Sequence, residues 1–404
     1  MRNLLTIVIA TSLAWGSMLY AQNYSWSTTD QIEEQVTIPI DKQIHKGPIA
    51  VEISVPDSII PGQGTAEFWT PERLRNAKPV KLPRASEYYP TTEILESDDY
   101  EEQISEPGQA PIIKIKPNKT KLFEPLKNEI SDDEFHFYNE EDVDPSSYGT
   151  SGAYFTSSSV SPAPATQNSR PYSATGRLFY TDKAGRLYSC TASVIKPRLI
   201  LTAGHCVYDA VKKQWYTNFI FIPALHKGSE PYGSWIWSGW AVTTTNWINS
   251  GGKLPNAGDF AIIEMKDNSS KRRIGDITGH YGYRLNALHP NHVTILGYPT
   301  AFNSGNWLHR VDSQSFRATF SNTVEFGADM TAGASGGGMI ENFGMSATGQ
   351  SVSGSMNTIV GVTSYMPSNT SQRYLGSSIL NSQFTNGSKN GILDVACAHK
   401  AGNC

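Results

Sequence analysis

Thr331-Ala332-Gly333-Ala334-Ser335-Gly336-Gly337-Gly338 is the stretch on which the reading of this 404-residue chain turns. One serine stands among glycines and other small residues. Such a backbone can turn tightly, hold a hydroxyl at the turn and aim its own N–H groups at a neighbouring atom. Upstream, Leu201-Thr202-Ala203-Gly204-His205-Cys206 sets a histidine in a second tight turn, directly after an apolar run. Serine is a weak nucleophile at neutral pH and needs a base within hydrogen-bond reach, which His205 would supply. An acid is then required to hold the imidazole tautomer. Asp259 is the best placed, because it follows Gly258 and leads into the buried-looking run Phe260-Ala261-Ile262-Ile263. Asp276 lies in a polar Arg-Ile-Gly-Asp turn and Asp209 is only four residues from His205, so both are less favoured.

From residue 176 onward, apolar and β-branched runs are short and separated by turn residues. Strands are predicted at residues 177–180, 188–195, 199–202, 219–222, 241–244, 260–264, 292–297, 315–320, 338–341 and 359–365. This spacing, with little helical periodicity, points to an all-β barrel or sandwich. Trp235, Trp237 and Trp240 read as packing residues rather than as a sugar-binding platform.

The histidine and serine phrases resemble the "TAGHC" and "GxSGG" motifs of chymotrypsin-like (trypsin-like) serine peptidases. The match to "CSASVI…LTAGHCVYD" runs from Cys190 to Tyr208, and Asp259 stands in the family's "D-Y/F-A-(I/V)" setting. Segments Phe221-Ile222-Pro223, Pro231-Tyr232-Gly233-Ser234-Trp235 and Gly297-Tyr298-Pro299 resemble the secreted bacterial branch related to glutamyl endopeptidases, as does the run from Ala328 to Gly337. The resemblance covers roughly residues 175–370 and implies two six-stranded antiparallel β-barrels after a smaller pro-region. It implies catalysis by His205, Asp259 and Ser335, with the N–H groups of Gly333 and Ser335 as the oxyanion hole. It also implies a Cys190–Cys206 disulfide stapling the histidine loop; the span fits two strands joined by a turn. Where many relatives have proline after the two glycines, this chain has Gly338-Met339.

For substrate binding, Asp329 lies six residues before the serine, an offset at which trypsin-like enzymes select Arg or Lys. The bacterial branch carries a similar aspartate without that preference, so both alternatives stand. Ser364 and Tyr365, in Ile359-Val360-Gly361-Val362-Thr363-Ser364-Tyr365, take the wall positions of "GIVSWG". Glutamate-specific relatives use a histidine there to meet the substrate carboxylate; this run has none, so the resemblance disfavours glutamate as the preferred residue before the scissile bond.

Gly333-Ala334-Ser335-Gly336-Gly337 also satisfies G-x-S-x-G, the nucleophile elbow of serine esterases. That fold demands the order serine, acid, histidine. Here the only later histidine is His399, and no βαβ pattern exists. A homologue that binds peptides without cutting them is the other alternative, against which the full His-Asp-Ser set argues.

The N-terminus reads as a secretory signal: Arg2, then a nearly all-apolar run from Leu4 to Ala14, with cleavage after Ala21 or, alternatively, at Gly16. That run is shorter than the ~20 residues a membrane span needs, so no anchor is expected. Net charge is −4, but unevenly spread. Residues 22–160 hold 25 acidic and 12 basic side chains, against 12 and 20 in residues 161–404. One reading is two solvated surfaces. The other is an acidic pro-region that masks a basic catalytic domain as an intramolecular inhibitor. Residues 146–173 are small and polar with Arg170 as their single charge, a linker composition suited to proteolytic nicking. The expected division is therefore a signal peptide over 1–21, a pro-region with linker over 22–165 and a peptidase domain over 166–404. Alternating runs at 51–55 and 112–116 predict two strands in the pro-region.

Four cysteines suit an oxidising compartment, extracellular or periplasmic. Cys397 and Cys404 are expected to pair; with His399 between them they make at most an incomplete metal site. No metal and no cofactor is expected. The partner is a peptide or protein substrate, and the chain is expected to be monomeric. The basic excess, spread over about 240 residues, does not call for nucleic acid.

Overall fold

The computed structural model describes residues 49–55, 64–85, 104–119, 121–124, 153–160, 169–287, 291–320, 322–345, 355–367 and 373–404. The expected signal peptide lies outside them, as does much of the acidic segment. Four short strands come first: β1 (Ala50–Ser54), β2 (Lys78–Pro79), β3 (Ser105–Glu106) and β4 (Phe155–Ser159). Then follow β5 (Thr175–Thr181), β6 (Leu187–Val194), β7 (Leu199–Thr202), a small hairpin β8 (Tyr208–Asp209) with β9 (Gln214–Trp215), β10 (Thr217–Pro223), β11 (Trp235–Thr244) and β12 (Ala261–Met265). After β13 (Gly282–Arg284) come β14 (His292–Gly297), β15 (His309–Phe320), β16 (Thr323–Gly327), β17 (Gly338–Glu341), β18 (Thr358–Tyr365) and β19 (Tyr374–Ile379).

Two six-stranded antiparallel barrels result. The first runs β10-β5-β6-β7-β12-β11 and closes from β11 back to β10. The second runs β14-β15-β16-β19-β18-β17 and closes from β17 back to β14. Closure pairs most of the barrel-strand edges, and stretches of β6, β11 and β15 that it leaves over take up strands from earlier in the chain. Phe179, Phe219, Phe221, Trp237 and Phe260 fill the first core; Ile295, Val311, Val324, Phe326 and Met339 fill the second. Trp235, Trp237 and Trp240 are all buried, as packing residues should be.

The segments ahead of the barrels are laid onto them. β1 extends β11 antiparallel, and β2 lies parallel to β6. β4 pairs with β15, while β3 reaches the second barrel through β13. β1 matches the strand expected at 51–55. The strand expected at 112–116 is a correction: side chains there do alternate between half-buried and exposed, but the backbone joins no ladder. Instead the N–H groups of Ile112 and Ile113 both donate to the Asp276 carbonyl. Alternation defines a face; a strand also needs a neighbouring edge. Part of the expected linker likewise proves to be ordered, as β4.

The C-terminal helix, Ile392–His399, is capped by Asp394, which accepts from the Gly391 N–H at 3.0 Å. Cys397 is joined to Cys404. His399 stacks on Trp240 at 4.4 Å and its Nδ1 lies 2.7 Å from Glu264. Its ring nitrogen and both sulfurs are thus engaged in tying down the chain end, not in forming a metal site.

Candidate active site

β7 ends in a single tight turn, Gly204–Cys206, that carries His205. Cys206 is bonded to Cys190 on β6, so the turn is tied to a neighbouring strand. A loop of this size contributes about 3 kcal/mol in the chain-entropy model. Replacing both cysteines by alanine is expected to lower unfolding free energy by about that much, read from urea midpoints.

Asp259 precedes β12 and is fully buried. Its Oδ1 accepts the His205 backbone N–H at 2.8 Å, and its Oδ2 lies 2.8 Å from His205 Nδ1. The Ser364 hydroxyl donates to Oδ2 at 2.5 Å. A buried carboxylate is tolerable only when so satisfied. The partner assigns the proton to Nδ1 and leaves Nε2 as the basic nitrogen. The edge of Trp247 packs against the imidazole at 6.2 Å. Gly204 has to be small, since a Cβ there would sit 2.9 Å from that ring and 3.0 Å from Asp259 Oδ1.

Ser335 comes from the second barrel, in the loop between β16 and β17. The Ser335 carbonyl accepts the Thr191 N–H at 2.8 Å, and Gly336 donates to the Thr363 carbonyl at 2.8 Å. Thr191 neighbours the half-cystine Cys190. The loop is thereby pinned to β6, beside the disulfide that ties the histidine turn, and to β18. Gly336 has φ +78°, and a Cβ on it would lie 2.1 Å from Thr202 Oγ1 and 2.5 Å from the Thr191 carbonyl. Gly333 has φ +94°, and its Cβ would lie 2.4 Å from the Tyr298 carbonyl. Only glycine meets both demands. Ser335 Oγ and His205 Nε2 are buried, and neither hydrogen bonds to another protein group. Unsatisfied buried polar atoms call for an explanation, and a reactive role is one.

The Gly333 N–H donates to the Val80 carbonyl at 3.0 Å. A main-chain carbonyl therefore sits on a group that the sequence assigns to an oxyanion hole. Nothing in the sequence around Val80 signals this.

The residues expected to recognise substrate are distributed differently. Ser364 turns its hydroxyl to Asp259. Tyr365 is buried, its ring over Gly376 and its hydroxyl 2.9 Å from Thr319 Oγ1 and 3.2 Å from Glu325 Oε1. Asp329 is buried too, and accepts from Ser157 Oγ on β4 at 2.9 Å. The same hydroxyl lies 2.6 Å from Nε2 of His309, whose ring stacks on Phe302 at 4.1 Å. His309 belongs to no motif, so sequence reading missed it.

Burial pushes the His309 imidazole down to about 3 and raises the Asp329 carboxyl. Between pH 3 and 6.5 the unfolded chain therefore binds the His309 proton while the folded chain does not. Stability falls as pH drops through that window, by up to about 1.4 kcal/mol per unit. Asp329 opposes this, because its raised value favours the folded state on the acid side. H309Q isolates the histidine: relative to the parent, its unfolding free energy is expected to fall less between pH 6.5 and pH 4, measured by urea unfolding.

Among the described residues, Cys190, His205 and Cys206 bring potential metal ligands within 4.8 Å. Both sulfurs are in one disulfide. Cysteine binds metal as thiolate, so this group is not a metal site. No helix among the described residues is long and apolar enough to cross a membrane.

Similar proteins include the glutamyl endopeptidase of Bacillus licheniformis, 30% identical over 162 residues, which are 38% of this chain and 45% of that protein. The extracellular metalloprotease of Bacillus subtilis is 27% identical over 184 residues, 45% of this chain and 54% of that protein. The chain thus spans about half the length of the curated relatives it matches. A solved thermostable serine protease from an extremophilic microorganism is 21% identical, with a TM-score of 0.45, over 55% of this chain and 96% of that one. A solved Glu endopeptidase is 22% identical, with a TM-score of 0.44, over 56% and 92%. The trypsin family model matches residues 159–386, more than half of the chain, and takes in both barrels with the histidine, aspartate and serine between them: the chain belongs to the trypsin family of serine proteases.

Proposed function

We propose that the chain is an exported serine endopeptidase, made with an N-terminal pro-region. The observation that carries this is the clamp on His205: Asp259 takes both its backbone N–H and its Nδ1 at 2.8 Å, leaving Nε2 without a partner in a site that also buries Ser335 Oγ. In this reading Ser335 Oγ attacks a peptide carbonyl and passes its proton to His205 Nε2. Asp259 stabilises the imidazolium, and the N–H groups of Gly333 and Ser335 hold the oxyanion. His205 then protonates the leaving amine. Water, activated by the same imidazole, hydrolyses the acyl-enzyme. Two disulfides and the apolar N-terminus support export.

A fluorophosphonate probe followed by peptide mapping tests the reading. The tag is expected on Ser335, together with cleavage of peptides and not of esters alone. A folded, processed chain that takes no label and cuts no peptide would turn the reading to a binding homologue. The absence of a Ser335–His205 hydrogen bond favours that alternative, although such bonds commonly tighten only when substrate is bound.

Side-chain preference is a separate expectation. β18 holds no histidine to meet a substrate carboxylate. In peptides that differ only before the scissile bond, Glu is expected to be cut no faster than Leu, measured as kcat/KM.

A further inference from the structure

Residues 78–85 cross from one barrel to the other beside the candidate active site. At the first barrel, Lys78 and Pro79 lie parallel to Tyr188 and Ser189, and the Val80 N–H donates to the Ser189 carbonyl at 2.9 Å. Ser189 adjoins Cys190, the disulfide partner of the residue after His205. In the middle, the Val80 carbonyl takes the Gly333 N–H at 3.0 Å. At the second barrel, Arg84 forms a parallel bridge with Met366. There the Met366 N–H donates to the Pro83 carbonyl at 3.0 Å and the Ala85 N–H to the Met366 carbonyl at 3.1 Å. Met366 stands two residues beyond Ser364, which holds Asp259. Leu82 is buried in the second core with Met330 and Ala334, and Ala85 is buried with Tyr208, Trp247 and Tyr365. Lys81 is exposed, and Arg84, also largely exposed, donates through Nη1 to the Pro367 carbonyl at 3.0 Å.

We infer that residues 78–85 are the built-in occupant of the peptide-binding cleft, lying in it in the direction opposite to substrate. The inference rests on the peptidase reading above. Direction follows from the pairing. The segment is parallel to both barrel edges, whereas an extended peptide gains slightly more per residue from antiparallel pairing. A strand making best use of the same edges runs the other way. The segment thus covers an oxyanion donor without presenting its own bonds as a substrate does. It also replaces general charge masking with a named stretch: the cleft is closed by main-chain hydrogen bonds and two apolar side chains, while the acidic clusters lie elsewhere in the chain.

The test compares the full chain with V80P/A85P, which removes the two N–H donors of the segment. Amide exchange at Gly333 and Met366 is expected to accelerate at least about tenfold in the variant, and fluorophosphonate labelling of Ser335 to accelerate similarly, since a tethered segment acts at an effective concentration of about millimolar. A synthetic peptide of residues 76–87 is expected to slow labelling of the variant and to remain uncut between Val80 and Lys81. Equal amide exchange in parent and variant overturns the occupant, as does rapid cleavage of the peptide at that bond. Faster exchange with no labelling in either protein keeps the occupant and overturns the peptidase reading. Near-ultraviolet circular dichroism confirms that the variant is folded; should it not be, Val80→Pro alone gives the same readings at Gly333.

Discussion

Ser335→Ala is expected to lower peptide turnover by about a million-fold, the scale on which a serine peptidase loses rate with its nucleophile. The substitution removes the atom that would form the acyl bond, and nothing nearby replaces it. The fold is expected to hold, because Ser335 contributes to it through its backbone: its carbonyl accepts from Thr191, and its hydroxyl has no partner within the protein. Removing an unpaired buried hydroxyl is neutral or mildly stabilising. Unfolding midpoints of parent and variant should therefore agree or rise, while kcat collapses. Both proteins must be compared with the cleft freed in the same way, since residues 78–85 cover it in the full chain. A variant that keeps about a hundredth of the parental kcat would remove Ser335 from the mechanism.

Asp259→Asn is expected to cost about four orders of magnitude in kcat with KM little changed. The carboxylate receives three donors: the His205 backbone N–H, His205 Nδ1 and the Ser364 hydroxyl. An amide of the same shape brings one oxygen and one NH₂ group. The NH₂ has to face at least one of those donors. If it faces Nδ1, the imidazole is driven to the opposite tautomer and Nε2 carries the proton, which disables the base. Groups that act as a unit are not additive, so Ser335→Ala/Asp259→Asn should be no slower than Ser335→Ala alone. Stopped kinetics with a chromogenic peptide checks the first expectation. The second needs a long endpoint assay. A loss below about tenfold for Asp259→Asn would assign the orienting role to another group.

Much of this protein was legible before folding because its reactive phrases are local. A histidine needs a tight turn after a strand, and Gly204 supplies it because Trp247 and Asp259 leave no room for a side chain. A serine needs a turn with positive φ on either side, and Gly333 and Gly336 supply it. Ten strand segments were readable from short apolar runs. Less readable were Thr323–Gly327 and Tyr374–Ile379, both fully buried, whose polar and small side chains conceal their place inside the second barrel. The first half of β11 was concealed likewise, by Ser238 and Gly239 between tryptophans.

Short apolar runs pointed to an all-β chain, and the resemblance carried by the histidine and serine phrases supplied the two barrels, the Cys190–Cys206 pairing and the candidates His205, Asp259 and Ser335. Folding alone settles which polar groups far apart in the chain meet. Ser364 gives its hydroxyl to Asp259; Ser157 sits on Asp329 and His309; the Val80 carbonyl sits on Gly333. Backbone N–H and C=O groups are the same at every residue, and serines are common enough that no one of them stands out. Their partners are set by how two closed barrels and the strands laid on them come together, and no side-chain pattern along the chain records that.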